Sequence, residues 1–76
     1  RHRILMGLPL LSGGEVVKAL LRRGYYVRRQ RGSHIRLYHA GRGPVTVPDH
    51  KEIDRGTLRS ILRQAGLSPE EFADLL

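Results

Sequence analysis

The chain has 76 residues, of which 39% are hydrophobic and 28% are charged, and it contains no cysteine. This length allows one small domain and excludes disulfide bridges and thiolate metal ligands, so its stability has to come from one compact core. No apolar run approaches the length of a membrane span, and we therefore expect a cytoplasmic protein.

The positive charge is concentrated in the first half of the chain. The net charge is +7; residues 1–42 hold ten basic residues and one acidic residue, whereas residues 43–76 hold four basic and six acidic residues. Most of the basic residues are arginine, whose planar guanidinium suits bidentate contact with phosphate. This distribution predicts a polyanionic partner, and nucleic acid is favoured over a membrane because no amphipathic helix divides basic from aromatic residues.

The first predicted element is a helix. Residues 1–6 show no periodicity, and we expect them to be a disordered or artificial tail in front of a single domain over residues 7–76. Ser12 and Glu15 have the spacing of a capping box, and apolar residues then recur at helical spacing. The pattern predicts a helix over about Gly13–Arg23.

A β-hairpin is predicted next. Residues 25–30 alternate as a strand, with Tyr25 and Val27 facing inward, and a Gly32-Ser33 turn follows. The second strand directs two apolar residues inward: Ile35 and Leu37. The period of two then places three residues on the opposite face: His34, Arg36 and Tyr38.

The rest of the chain predicts one more strand and two helices. Pro44–Val47 reads as a short edge strand, and a helix capped by Asp54 runs to Ala65. A second capping box starts a short last helix, whose apolar residues face the core or a partner: Phe72, Leu75 and Leu76. The predicted architecture is α+β with two layers, a three-stranded antiparallel sheet carrying helices on one face.

The hairpin also carries the residues best suited to chemistry. His34 lies among four arginines, and an imidazole that titrates near neutral pH can accept or donate a proton while guanidinium groups stabilise phosphate charge. An ordinary hairpin with a solvated polar face accounts for the same residues. We expect RNA contacts from a wider surface that includes one turn residue and one face of the long helix: Arg28, Arg29, Arg31, Ser33, Arg36, Tyr38, Lys51, Arg55 and Arg59.

Two other kinds of site are disfavoured. His34, His39 and His50 do not form a metal cluster in this reading, because the first two point to opposite faces of one strand and no carboxylate or cysteine completes the set. Ser33 beside His34 is not a nucleophile–base pair, because adjacent strand residues diverge. We therefore expect no metal and no other cofactor.

Several short strings occur in an order that resembles the HicA family of small mRNA-cleaving toxins. They are Leu8-Pro9, Ser12-Gly13, Leu20 before Gly24-Tyr25, Gly32-Ser33-His34, Val47-Pro48 with His50, Gly56-Thr57-Leu58, and Ile61-Leu62 before Ala65-Gly66-Leu67. No single string is specific, but together they span nearly the whole chain.

The resemblance implies a fold like the double-stranded-RNA-binding domain and a metal-independent endoribonuclease that cleaves mRNA. It implies that His34, the histidine of the Gly-Ser-His string, is catalytic, and that a HicB-type antitoxin covers the His34 face. A second copy of the chain is the other protein partner considered. The alternative function is a non-catalytic RNA-binding module on the same basic face, which would tolerate the loss of His34.

Overall fold

The computed structural model describes residues 10–76, so the expected tail at residues 1–6 lies outside the described residues. The elements follow in the predicted order: α1 Gly13–Arg22, β1 Tyr26–Arg31, β2 His34–Tyr38, β3 Val45–Pro48, α2 Arg55–Ala65 and α3 Pro69–Ala73. The strands form one antiparallel sheet in the order β1-β2-β3. The predicted α+β architecture is confirmed, and β3 lies at an edge as expected.

Helix α1 begins with the predicted capping box. The Ser12 amide donates to the Glu15 carboxylate at 2.8 Å, and the Glu15 amide donates to the Ser12 hydroxyl at 3.1 Å, so two otherwise unpaired donors of the first turn are satisfied. The apolar stripe of the helix faces the core with Val16 and Leu20 fully buried. The helix ends one residue before the predicted end, and Gly24 follows with a φ of 98°.

The first residue of α1 is glycine because the main chain of another segment passes very close to it. Gly13 is buried, its amide donates to the His50 carbonyl at 2.8 Å, and a methyl group at its Cα would overlap the Pro48 carbonyl oxygen. A second contact of the same kind joins Ile53 to Leu11 through a hydrogen bond of 2.7 Å. The start of α1 thereby fixes the segment that follows β3.

Helices α2 and α3 are capped by side chains as predicted. The Asp54 carboxylate accepts from the Thr57 amide at 2.7 Å, and this hydrogen bond is the main reason that the pKa of Asp54 lies below its ordinary value. In the same way, the Ser68 amide lowers the pKa of Glu71 in the capping box of α3. Phe72 is fully buried, and Leu75 and Leu76 are partly buried against the core, so the apolar residues at the end of the chain face inward.

The core lies between the helices and one face of the sheet. Its strand members come from the inward positions of β2 and β3, and its helix members form the stripes of α1 and α2; the largest fully buried side chains are Phe72, Leu20, Leu37, Ile53, Leu58, Ile61, Val16, Val45 and Val47. Tyr25 is buried as predicted, its hydroxyl donates to the Gly43 carbonyl at 3.0 Å, and burial raises its pKa, with Arg42 acting in the opposite direction. Within residues 10–76, no helix is long and apolar enough to cross a membrane.

The prediction for Val27 is wrong, because this side chain is 46% exposed. Strand β1 is Tyr26–Arg31, one residue later than predicted, and all six of its residues are exposed. The strand lies at the edge opposite β3, whereas α1 and α2 pack against β3. Its pairing with β2 also contains a bulge between Val27 and Arg29, which simple alternation does not anticipate.

Candidate active site

The candidate site is on the outer face of the sheet, the face that the helices leave uncovered. His34 is the first residue of β2 and is exposed; it lies opposite Arg31 on β1 and Pro48 on β3. The turn before it contains Gly32 with a φ of 59°, a left-handed conformation that glycine adopts without strain. The Ser33 carbonyl accepts from the Asp49 amide at 2.7 Å, so the turn is tied to the segment after β3.

His34 lies in an open depression of about 270 Å³. Its lining residues come from all three strands and comprise Arg29, Arg31, His34, Arg36 and Thr46. Three of the predicted RNA contacts are thus brought together around the predicted catalytic histidine. A depression of this size that is lined by three arginines can accept a phosphate together with part of a nucleotide.

The bulge in β1 explains how two consecutive arginines reach the same face. Val27 pairs with Leu37 and Arg29 pairs with Arg36, so Arg28 is the extra residue that has no partner on β2. In a regular strand the two arginines would point to opposite faces. Here Arg29 lines the depression, while the Arg28 guanidinium lies 5.8 Å from the ring centre of Tyr38 on the same face.

Thr46 is a residue of the site that the sequence reasoning missed. The Arg36 guanidinium donates to the Thr46 hydroxyl at 2.7 Å, and both side chains are half-buried. This hydrogen bond limits the rotation of the arginine and holds its charge beside His34. The only sequence signal for Thr46 is its place in a short polar-apolar strand, which does not reveal the register that sets it opposite Arg36.

A second group of side chains continues along the outer face from the depression. Tyr26 and Tyr38 are paired across β1 and β2, with ring centres 6.4 Å apart and planes inclined by 41°. The guanidinium carbons of Arg28 and Arg36 each lie 5.8 Å from the ring centre of Tyr38. We call these four residues the aromatic cluster; Tyr38 belongs to it and does not line the depression.

The other predicted RNA contacts are not part of this depression. Ser33 and Lys51 are exposed in the segments flanking β2 and β3, and Arg55 is exposed in the first turn of α2. Arg59 lines a different hollow of about 240 Å³, whose other lining residues are Leu62, Arg63, Leu67 and Pro69. The two hollows share no residue.

The remaining histidines of the described chain differ from His34. His39 Nδ1 accepts from the Gly41 amide at 2.9 Å, so Nε2 carries the proton and donates to the Arg23 carbonyl at 3.1 Å. Its ring packs edge-on against Tyr25 with centres 4.9 Å apart, which marks it as a structural residue. His50 is exposed and does not line the depression, and residues 10–76 contain no set of three or more His, Cys, Asp or Glu side chains that could hold a metal ion.

Both the sequence and the fold of the chain have counterparts among known proteins. Residues 13–67, from the start of α1 to just beyond α2, match the family described as the HicA toxin of bacterial toxin–antitoxin systems. The fold is similar to a chain in a toxin–antitoxin complex from Streptococcus pneumoniae, with 38% identity, a TM-score of 0.67, and coverage of 75% of this chain and 98% of that one. A search of curated proteins gave no match. The chain therefore belongs to the HicA toxin family.

Proposed function

We propose that this toxin is an endoribonuclease that cleaves mRNA without a metal ion and uses His34 as its general acid/base. The observation that carries the proposal is the depression, in which one histidine is surrounded by Arg29, Arg31 and Arg36. The arginines supply the positive charge that a metal ion would otherwise provide to the reacting phosphate. Membership of a toxin family supports an activity that is harmful to the cell.

The chemistry requires one proton to leave the 2′-hydroxyl and one to reach the departing 5′-oxygen. His34 takes the proton from the 2′-hydroxyl, whose oxygen then bonds to phosphorus while the bond from phosphorus to the 5′-oxygen breaks. The products are a 2′,3′-cyclic phosphate and a 5′-hydroxyl. We assign the second proton transfer to solvent, because the residues that line the depression beside His34 are arginines and one threonine, and we expect slow turnover for that reason.

The arginines hold the phosphate during this reaction. Arg36 is oriented by Thr46, and on the neighbouring strand β1 Arg29 pairs with Arg36 and Arg31 pairs with His34. The wider RNA contacts that we propose are the exposed residues beyond the depression: Arg28, Ser33, Tyr38, Lys51, Arg55 and Arg59. These residues bind the strand on either side of the reacting phosphate.

The proposed protein partner is a HicB-type antitoxin with an acidic surface. The first half of the chain holds ten basic residues and one acidic residue, and the outer face of the sheet carries four of its arginines around an exposed histidine. The similar chain of known structure is part of a toxin–antitoxin complex. A partner with complementary charge that covered His34 would block access of RNA to the depression.

The test compares RNA degradation by the wild type, His34→Ala and His50→Ala, with EDTA present and folding checked by circular dichroism. We expect the wild type and His50→Ala to cut, and folded His34→Ala to bind RNA without cutting it. His50→Ala is the matched control, because it removes another exposed histidine that is outside the depression.

Two results would contradict the proposal. If folded His34→Ala degrades RNA at the wild-type rate, His34 is not the acid/base. If all three proteins bind RNA and none cuts it, the domain is an RNA-binding module rather than a nuclease.

A further inference from the structure

The aromatic cluster exposes more aromatic surface than the fold requires. Tyr26 is 52% exposed and Tyr38 is 38% exposed, although both belong to strands of a small sheet whose other face is packed against helices. Their ring centres are 6.4 Å apart, which is near the outer limit for an aromatic pair, so neither ring covers the face of the other. More than a third of each tyrosine therefore remains accessible to a ligand.

Two guanidinium groups lie over the Tyr38 ring. Arg28 and Arg36 each place a guanidinium carbon 5.8 Å from the centre of the Tyr38 ring, close to the limit of about 6 Å for a cation–π contact. Arg28 reaches this position only because it is the extra residue of the bulge. Aromatic rings and guanidinium planes both stack on nucleobases, and the guanidinium groups can also bind the phosphate attached to the base.

The position of Tyr38 relative to His34 sets which nucleotide would stack. The two residues are four positions apart on β2, which corresponds to roughly 13 Å along the strand. Stacked bases in a nucleic-acid strand are separated by roughly 3.4 Å. A base that stacks on Tyr38 therefore belongs to a nucleotide beyond the two that flank the reacting phosphate. Arg36 lies between them, since it lines the depression and also borders Tyr38.

We infer that the aromatic cluster is a stacking subsite for a single unpaired nucleobase of the RNA, separated from the cleaved bond by at least one nucleotide. Its relation to the cleaved bond rests on the proposed function, whereas base binding does not require cleavage. The subsite needs the π-face of the base rather than a pattern of hydrogen bonds, so it tolerates all four bases but requires that one is present and unpaired.

The experiment measures binding of short single-stranded RNAs to the His34→Ala protein, which keeps the RNA intact. In each RNA of the series one nucleotide is abasic, and the abasic position is moved along the strand. We expect one abasic position to lower affinity by roughly 5- to 150-fold, the range for loss of one base–aromatic stack. Introducing Tyr38→Ala into the His34→Ala protein should lower its affinity for intact RNA by a similar factor.

The loss of affinity caused by the abasic nucleotide and the loss caused by Tyr38→Ala should not add, and this non-additivity is the specific sign of a direct contact. In the Tyr38→Ala protein the sensitive abasic position should cause no further loss, whereas Tyr38→Phe, which keeps the ring, should behave like tyrosine. Leu21→Ala is the matched control, because Leu21 is an exposed apolar residue of α1 away from the sheet face, and it should leave binding unchanged. Tyr26→Ala supplies a second variant in case Tyr38→Ala fails to fold.

The outcomes separate this inference from the proposed function. If the wild type does not cut RNA but the coupling between Tyr38 and one base is present, the subsite stands and the nuclease proposal falls. If the wild type cuts and folded Tyr38→Ala binds every RNA with unchanged affinity, the subsite is refuted. It is equally refuted if the two losses add fully, or if Tyr38→Ala weakens binding only of an antitoxin protein, which would assign the cluster to a protein interface.

Discussion

The first turn of α1 offers a direct test of how the fold holds the segment beside His34. Gly13 and Gly14 are adjacent but differ in their surroundings: a methyl group on Gly13 would overlap the Pro48 carbonyl oxygen, whereas the nearest atom to a methyl group on Gly14 is the Ser12 hydroxyl oxygen at 3.8 Å. Replacing each glycine by alanine therefore separates helix propensity from steric overlap.

The two substitutions should change the free energy of unfolding in opposite directions. Alanine favours helix over glycine by up to about 1 kcal/mol, so Gly14→Ala should raise the free energy of unfolding by that amount or less. Gly13→Ala gains the same contribution but overpacks the contact with Pro48, which costs about 1–3 kcal/mol, and it weakens the hydrogen bond from Gly13 to His50, worth about 1 kcal/mol. The net loss for Gly13→Ala is about 1–3 kcal/mol.

The assay is thermal and urea unfolding followed by circular dichroism. In a domain of this size each 1 kcal/mol changes the melting temperature by roughly 4–8 °C, so the two variants should differ clearly and in opposite directions from the wild type. Because Pro48 pairs with His34, RNA cleavage by folded Gly13→Ala should also fall, while Gly14→Ala should keep it. Equal stability of the two variants would refute the argument that close packing at Gly13 positions this segment.

Three further predictions concern the site and the caps. Thr46→Val should lower cleavage or RNA affinity with little change in melting temperature. Thr46→Ser should keep the wild-type cleavage and affinity, because it retains the hydroxyl that accepts from Arg36. Equal behaviour of the two variants would contradict a positioning role. Deleting one arginine of the Arg28-Arg29 pair should leave a folded domain with the same strand partners and weaker RNA binding, because only the extra residue of the bulge is lost; an unfolded product would contradict the assigned register. The pKa of Asp54 is lowered in the folded state, so its contribution to stability is complete above the ordinary carboxyl pKa and is lost as the pH falls through the lowered value. Asp54→Asn should flatten this part of the curve of stability against pH. An unchanged curve would argue against the cap.

The sequence predicted the elements well because their signals are local. The capping boxes of α1 and α3, the Asp54 cap and the apolar stripes of the helices depend on residues three or four positions apart, and the structure confirms them. The turn before His34 and the outward direction of β2 follow from equally local signals. Local signals therefore sufficed to place His34 and Arg36 on the outer face, whereas the catalytic role proposed for His34 came from the family resemblance.

The features that the sequence did not predict correctly depend on contacts between distant segments. Alternation predicted Val27 inside, yet β1 lies at an edge beyond the helices, where a buried position has nothing to pack against. The bulge at Arg28 and the pairing of Arg36 with Thr46 arise from strand register, which no short window contains. The sequence also gives no sign that position 13 requires glycine, whose lack of a side chain allows the main chain near Pro48 to approach.

Some of the positive charge that dominates the composition is engaged within the fold. The Arg22 guanidinium donates to the Leu75 carbonyl at 2.7 Å, and Arg42 donates to the Ala65 and Gly66 carbonyls at 2.7 and 3.1 Å, so these two side chains neutralise helix ends rather than phosphates. If the proposed RNA binding occurs, we expect it to release fewer cations from the RNA than the fourteen basic residues suggest. The seven basic residues that we propose as RNA contacts correspond to a slope of roughly −5 for the logarithm of affinity against the logarithm of salt concentration, compared with roughly −10 for all fourteen. We therefore expect the RNA affinity to fall less steeply with added salt than the composition of the chain suggests.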